Sequence, residues 1–114
     1  MASYNQFEIV AVPFPFTDRE REKKRPAVII SNPSNFDNKI GHSVLAMITS
    51  SKNSKWPLDV QIKDLDESGL PAPSVVRMKF FTLDHKLILK NLGKLSSKDQ
   101  IEVKKAIEKI YSTN

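Results

Sequence analysis

The chain contains no cysteine among its 114 residues, which excludes disulfide bonds and zinc sites built from thiolates. Only three glycines occur, and neither the Rossmann nor the P-loop glycine pattern is present. No apolar run approaches the ~20 residues of a membrane-spanning helix. Residues 1–12 lack the basic start and long apolar stretch of a signal peptide. We therefore expect a cytoplasmic protein that is not inserted in a membrane and that uses no cofactor or metal.

The composition is that of a globular protein, with 39% hydrophobic and 27% charged residues. A length of 114 residues suits one domain, and no linker, repeat or low-complexity tract divides it. The net charge is +5, from 18 basic and 13 acidic residues. This excess favours an acidic partner such as nucleic acid, an acidic protein or a membrane surface. The alternative is a basic protein whose charge has no binding role.

Short apolar and β-branched runs separated by polar segments indicate a mostly β domain of class α+β. We predict that Pro13 ends the first strand, because proline cannot donate to a ladder, and that residues 32–41 and 64–73 are loops. Capping signals at Ser96 and Ser97 precede an amphipathic pattern, which predicts a C-terminal helix. The expected fold is a small barrel of five or six strands with this helix packed on it. The predicted strands are 7–12, 27–31, 43–48, 58–62, 74–81 and 87–92.

Three cations stand directly before the second predicted strand, in the segment Lys23-Lys24-Arg25-Pro26. Pro26 favours an extended conformation for Arg25, which would fix a guanidinium at the strand entrance. Arginine presents planar donors that match a phosphate. The alternative is a solvated run of charge.

Three hydroxyl groups and a lysine follow the third predicted strand, in the segment Thr49-Ser50-Ser51-Lys52. Side chains at the end of a barrel strand are well placed to bind phosphate oxygens. An ordinary Ser/Thr turn is the alternative interpretation.

Basic and aromatic side chains further along the chain are also candidates for binding nucleic acid. Arg77 and Lys79 alternate with apolar residues, so the pattern places both on one face of the fifth strand. Trp56 has the ring needed to stack on a base, although packing within the protein is the alternative. His42 and His85 are the side chains whose ordinary pKa lies nearest neutrality, which makes them candidates for proton transfer.

The ordered set of segments resembles the MazF/PemK family of toxin endoribonucleases. The resemblance spans about residues 7–95, and the terminal helix is also where that family has one. Its segments are PFPFTD (13–18), KRPAVIIS (24–31), ITS (48–50), LPAPSVVR (70–77) and FTLD (81–84).

This resemblance implies an SH3-like barrel, a homodimer and a cognate antitoxin that binds with an acidic tail. It also implies metal-independent cleavage of single-stranded RNA at a short sequence, with a 2′,3′-cyclic phosphate as product. By the same resemblance, Arg25 and Thr49 match catalytic positions, and Arg77 matches an arginine that some branches use as catalytic acid and phosphate ligand. We expect the RNA to be bound by Lys24, Ser50, Ser51, Lys52, Trp56 and Lys79.

The chain departs from the family pattern at several positions. It opens the first strand with Phe7-Glu8 where many members have Gly-Asp, and it has Lys23-Lys24 where members often have glycines. Some branches carry an aspartate two residues after the arginine that matches Arg77, where this chain has Lys79. The resemblance therefore does not assign a general base. The alternative function is a toxin-fold module without catalysis that binds RNA or poisons a protein target such as DNA gyrase.

Overall fold

The computed structural model describes residues 4–14, 23–36, 40–53 and 55–113, and in these residues six antiparallel strands form one sheet. The strands lie in the order β4-β5-β3-β2-β1-β6, which confirms the expected mostly β architecture with a terminal helix. None of the helices in these ranges is long and apolar enough to cross a bilayer. The strands are β1 (Glu8–Phe14), β2 (Lys23–Ile29), β3 (His42–Ser50), β4 (Val60–Gln61), β5 (Ser74–Asp84) and β6 (Lys90–Lys94), and the helices are α1 (Pro33–Phe36), α2 (Leu65–Ser68) and α3 (Ser97–Tyr111).

Both faces of the sheet are apolar, because β1, β2 and β3 alternate between two separate hydrophobic clusters. Val28 belongs to the larger cluster, which extends to Val103 of α3. Ala27 belongs to the second cluster, on the opposite face. Since successive residues of a strand point to opposite faces, Arg25 shares the face of Ala27, and Lys24 shares the face of Val28.

The first strand continues through Pro13, so the prediction that it ends there is wrong. Pro13 lies opposite Lys24, and Phe14 lies opposite Lys23. β6 pairs with β1 only from Glu8 to Ala11, and beyond Ala11 β1 is paired with β2 alone among the described residues. The missing proline donor is tolerated there, as at the edge of a sheet. Because β1 extends to Phe14, β2 pairs with it from Lys23 onward and so begins before the predicted start at residue 27.

Two predicted loops each contain one turn of helix, and one of these turns helps to close the curled sheet. α2, in the predicted loop 64–73, packs on β6 although β4 and β6 are opposite edges of the sheet. The approach is close: a Cβ at Gly69 would lie 1.8 Å from the Leu92 carbonyl oxygen, and one at Gly93 would lie 2.4 Å from the Glu67 carbonyl oxygen. Only glycine fits at these two positions.

The C-terminal region has the predicted order of strand and helix, but the strand lies further along the chain than predicted. A 3-10 turn at His85–Leu87 occupies the start of the predicted sixth strand, and β6 covers Lys90–Lys94 instead of 87–92. Ser96 caps α3, and its Oγ accepts a hydrogen bond of 3.2 Å from the Asp99 N–H. The capping signal in the sequence therefore locates the start of this helix correctly.

Candidate functional site

Arg25 and Thr49 lie on one face of the sheet, on neighbouring strands. β2 pairs with β3 with Ala27 opposite Met47. The pairing ends there, and alternation along each strand directs both Arg25 and Thr49 to the face of Ala27 and Met47. Both side chains are half-buried. The guanidinium and the hydroxyl therefore lie on the same side of the sheet, on neighbouring strands.

Arg77 reaches the same face from β5, on the other side of β3. Thr49 lies opposite Val75, and Met47 lies opposite Arg77. Arg25 and Arg77 are therefore two strands apart, roughly 10 Å across the sheet, with Thr49 on the strand between them. The sheet brings together two guanidinium groups and one hydroxyl that are far apart in the sequence.

The Thr49 hydroxyl is held by the loop that follows β3. Asn53 Nδ2 donates a hydrogen bond of 2.5 Å to Thr49 Oγ1. A hydroxyl has one donor and two acceptor positions, so this bond leaves the Thr49 O–H able to donate. The neighbouring hydroxyls stabilise the turn: Ser50 Oγ accepts from the Lys52 N–H at 3.2 Å, and Ser51 Oγ donates to the Pro73 carbonyl at 3.3 Å.

Arg77 forms an ion pair with Asp59, a residue just before β4. Arg77 Nε donates to Asp59 Oδ1 at 3.2 Å, and Arg77 Nη2 donates to Asp59 Oδ2 at 3.0 Å. The side chains are only 12% and 17% exposed, so the pair is largely shielded from solvent. Two parallel bonds fix the plane of the guanidinium as well as its position.

Trp56 adds an aromatic surface beside these charges. Its ring centroid lies 5.0 Å from Lys79 Nζ and 5.9 Å from Arg77 Cζ, within the range of cation–π attraction. The indole is 41% exposed and borders an open cleft of about 380 Å³. The cleft is lined by Ser51, Asn53, Lys55, Trp56, Leu58, Asp59, Gln61 and Val75.

A tight turn from Trp56 to Asp59 forms one wall of the cleft. The Asp59 N–H donates to the Trp56 carbonyl at 3.2 Å. Pro57 occupies the second position, and Leu58 at the third has φ +63°. Type II turns have this positive φ and usually place glycine there. A leucine in the left-handed region costs about 1–2 kcal/mol, so contacts around the turn must hold it in place.

Both histidines lie at the other end of the sheet. His42 begins β3, seven residues before Thr49, which corresponds to roughly 20 Å along a strand. His85 follows β5, and its Nε2 lies 2.7 Å from the buried Ser43 Oγ. Close by, the Lys86 backbone N–H that donates to Asp84 lowers the pKa of that carboxyl. Neither imidazole is within proton-transfer distance of Thr49.

A sequence profile of the PemK-like, MazF-like toxins of type II toxin–antitoxin systems matches residues 5–111. This match covers nearly the whole chain. The chain belongs to this toxin family. None of the curated protein sequences matches it.

Solved structures of MazF toxins have the same fold as this toxin at low sequence identity. MazE-MazF from Deinococcus radiodurans superposes with a TM-score of 0.75 at 16% identity, covering 99% of this chain and 100% of that chain. The Mycobacterium tuberculosis toxin MazF-mt6 gives a TM-score of 0.71 at 18% identity, covering 94% and 98%. An endoribonuclease in complex with its cognate antitoxin, from Mycobacterial species, gives 0.72 at 15% identity, covering 96% and 93%.

The structure places the sequence-predicted residues of the toxin in two groups. The first shares the Arg25 face or borders the cleft, and it consists of Arg25, Thr49, Ser51, Trp56, Arg77 and Lys79. The second does not: Lys24 points to the opposite face of β2, while Ser50 and Lys52 form the turn after β3.

Asp59 and Asn53 belong to the site, although neither was a candidate from the sequence. Asp59 lies in residues 58–62, whose alternation predicts only a half-exposed strand. Pro57 indicates a turn in this segment, but the turn signal by itself does not single out Asp59. Its partner Arg77 is 18 residues away, and no local pattern indicates that pairing.

Proposed function

We propose that this toxin is an endoribonuclease that cleaves single-stranded RNA by metal-independent transphosphorylation. The observation that carries the proposal is the convergence of Arg25, Thr49 and Arg77 on one face of the sheet. Two cations flanking a hydroxyl donor provide what a phosphoryl transition state requires. Membership of a toxin family whose structural neighbours include an endoribonuclease supports the same function.

In the proposed reaction the ribose 2′-hydroxyl attacks the adjacent phosphorus and the 5′-oxygen leaves. The P–O bond to the 5′-oxygen breaks as the new one forms, and the products are a 2′,3′-cyclic phosphate and a 5′-hydroxyl. The proton lost from the 2′-hydroxyl is balanced by the one gained at the 5′-oxygen. Negative charge gathers on the non-bridging oxygens, where Arg25 and Arg77 stabilise it and the Thr49 O–H donates a hydrogen bond.

The RNA lies, in this proposal, along the cleft beside Thr49. Trp56 stacks on a base, which contributes about 1–3 kcal/mol per base in such sites. Lys79 and Ser51 contact the backbone, and Lys24 and Lys52 add long-range attraction from the periphery.

The toxin acts, in the same proposal, as a single-domain cytoplasmic homodimer that a cognate antitoxin inhibits. The net charge of +5 favours an acidic antitoxin segment as well as RNA. The structural neighbours solved as MazE-MazF and as a toxin–antitoxin complex support this kind of partner.

The test is cleavage of a long single-stranded RNA in EDTA by the wild type, Arg25→Ala and Lys24→Ala. These two variants each remove one cation from adjacent residues, but only Arg25 faces Thr49. We expect the wild type to cleave in the chelator and Arg25→Ala to lose about 10²–10³ in rate. Lys24→Ala should stay within a few-fold of the wild type.

Equal losses in the two variants would contradict the assignment of the site to the Arg25 face. If the wild type binds RNA but leaves it intact, the nuclease proposal fails. A toxin-fold module that binds RNA then takes its place. If it neither binds nor cleaves RNA, trapping of DNA gyrase tests the protein-target alternative.

A further inference from the structure

The Asp59 carboxylate accepts hydrogen bonds at both of its oxygens. Oδ1 accepts from Arg77 Nε at 3.2 Å, and Oδ2 accepts from Arg77 Nη2 at 3.0 Å. Oδ2 also accepts from the Trp56 backbone N–H at 3.1 Å. One side chain therefore contacts both the arginine that faces the proposed phosphate site and the aromatic residue that borders the cleft.

The turn that carries Trp56 needs such a contact. Leu58 has a positive φ that is unfavourable for leucine, so its local conformational preference opposes the turn. Two hydrogen bonds close the turn. The Trp56 N–H donates to the Asp59 side chain, and the Asp59 N–H donates to the Trp56 carbonyl. Strained backbone of this kind persists where surrounding contacts over-determine it, and it is frequent at functional sites.

We propose that Asp59 is a positioning residue that holds Trp56 and Arg77 as one unit. The inference rests on the proposed function, in which Trp56 stacks on a base and Arg77 binds the phosphate. Asp59 then sets the distance between the stacked base and the phosphate. Asp59 is ion-paired with Arg77 and largely shielded from solvent, so we assign it positioning and not proton transfer.

Pre-organisation of this kind acts mainly on the chemical step. If Arg77 is misplaced by even about 1 Å, the rate of the chemical step falls by roughly 10²-fold, although RNA still binds through the remaining contacts. The expected signature of Asp59→Asn is therefore a large fall in kcat with a smaller change in KM. Asparagine keeps the size of the side chain but removes the charge and one acceptor.

Trp56 provides a readout that does not depend on RNA, because it is the single tryptophan of the chain. Time-resolved fluorescence anisotropy of the apo protein reports the local motion of this indole. We expect faster local motion in Asp59→Asn than in the wild type. The matched control is Asp66→Asn, which changes an exposed carboxylate on α2, the helix that packs on β6.

A double-mutant cycle tests whether Asp59 acts through Arg77. The four proteins are the wild type, Asp59→Asn, Arg77→Lys and the double variant, each assayed for kcat and KM on the same RNA. If Asp59 positions Arg77, the loss of kcat in the double variant should be close to that of Arg77→Lys alone. If the fold-losses of kcat in the two single variants multiply in the double variant, Asp59 acts independently of Arg77, which overturns the proposal.

The two readouts separate failure of this inference from failure of the proposed function. If the wild type does not cleave RNA, the proposed function fails, and the anisotropy still decides whether Asp59 positions Trp56. An indole that moves in Asp59→Asn as it does in the wild type overturns the positioning role. If Asp59→Asn does not fold, Asp59→Glu retains the charge, displaces the carboxylate by one methylene, and should show the same loosened indole.

Discussion

At the scale of single residues, Asp99 is a buried carboxylate that joins α3 to the segment after β4. It is 1% exposed, and its oxygens accept hydrogen bonds of 3.1–3.2 Å from the backbone N–H groups of Lys63 and Asp64. Its own N–H is bonded to Ser96, so the residue also belongs to the helix cap. Backbone donors that leave water need such acceptors, which makes Asp99 a structural residue.

We predict that Asp99→Asn lowers the free energy of unfolding by about 1–3 kcal/mol, because the amide replaces one acceptor with a donor that faces backbone N–H groups. Urea denaturation followed by far-UV circular dichroism measures the change. Asp66→Asn is the control, since exposed substitutions usually stay within about 0.5 kcal/mol. Equal midpoints for the two variants would show that the Asp99 bonds are dispensable.

At the scale of elements, α2 and β6 meet through two glycines. Gly69 has φ +73°, and a Cβ there would overlap the Leu92 carbonyl, so both conformation and space exclude a side chain. Gly41 provides the comparison, because its φ is +67° and a Cβ added there would have no atom of the described residues within 4 Å. Both Gly69→Ala and Gly41→Ala strain the backbone, but only Gly69→Ala also crowds β6. The difference between their losses of stability therefore measures the packing of α2 on β6.

We predict that Gly41→Ala costs roughly 1–2 kcal/mol of stability, the penalty of a left-handed residue with a Cβ. Gly69→Ala should cost roughly 1–3 kcal/mol more, because α2 must move away from β6. Thermal and urea unfolding of both variants measure the difference. Similar stabilities would mean that the contact between α2 and β6 adjusts without cost.

At the scale of the whole molecule, the basic charge should make RNA binding depend on salt. Each phosphate of a single strand that is neutralised contributes a slope of about −0.7 to the plot of log K against log salt. With Arg25, Arg77 and Lys79 as the contacting cations, the slope should be about −2, or about a 20-fold loss of affinity between about 50 and about 200 mM salt. Titration with a non-cleavable RNA measures it.

The same titration with Arg25→Ala should reduce the slope by about 0.7, the contribution of one phosphate contact. A slope near zero in the wild type would show that the protein does not bind RNA through contacts between its cations and the phosphates. It would favour a protein target over RNA for this toxin.

The amino-acid sequence alone determined the class of fold, the terminal helix and the family. These properties rest on local patterns: the alternation of apolar residues, the Ser96 cap, and the ordered segments around Arg25, Thr49 and Arg77. The predicted boundaries at Pro13 and in β6 are wrong, because the tolerance for proline and the start of a strand depend on which strand lies alongside.

Only the tertiary structure decided which of the candidate side chains meet. Strand register puts Arg25 on the same face as Thr49 and turns the adjacent Lys24 to the other face. The pairing of Asp59 with Arg77, and of Gly69 with the backbone of β6, joins residues that no local pattern relates. The physical reason is that periodicity specifies the face of an element, whereas contacts between elements depend on how the whole sheet pairs and curls.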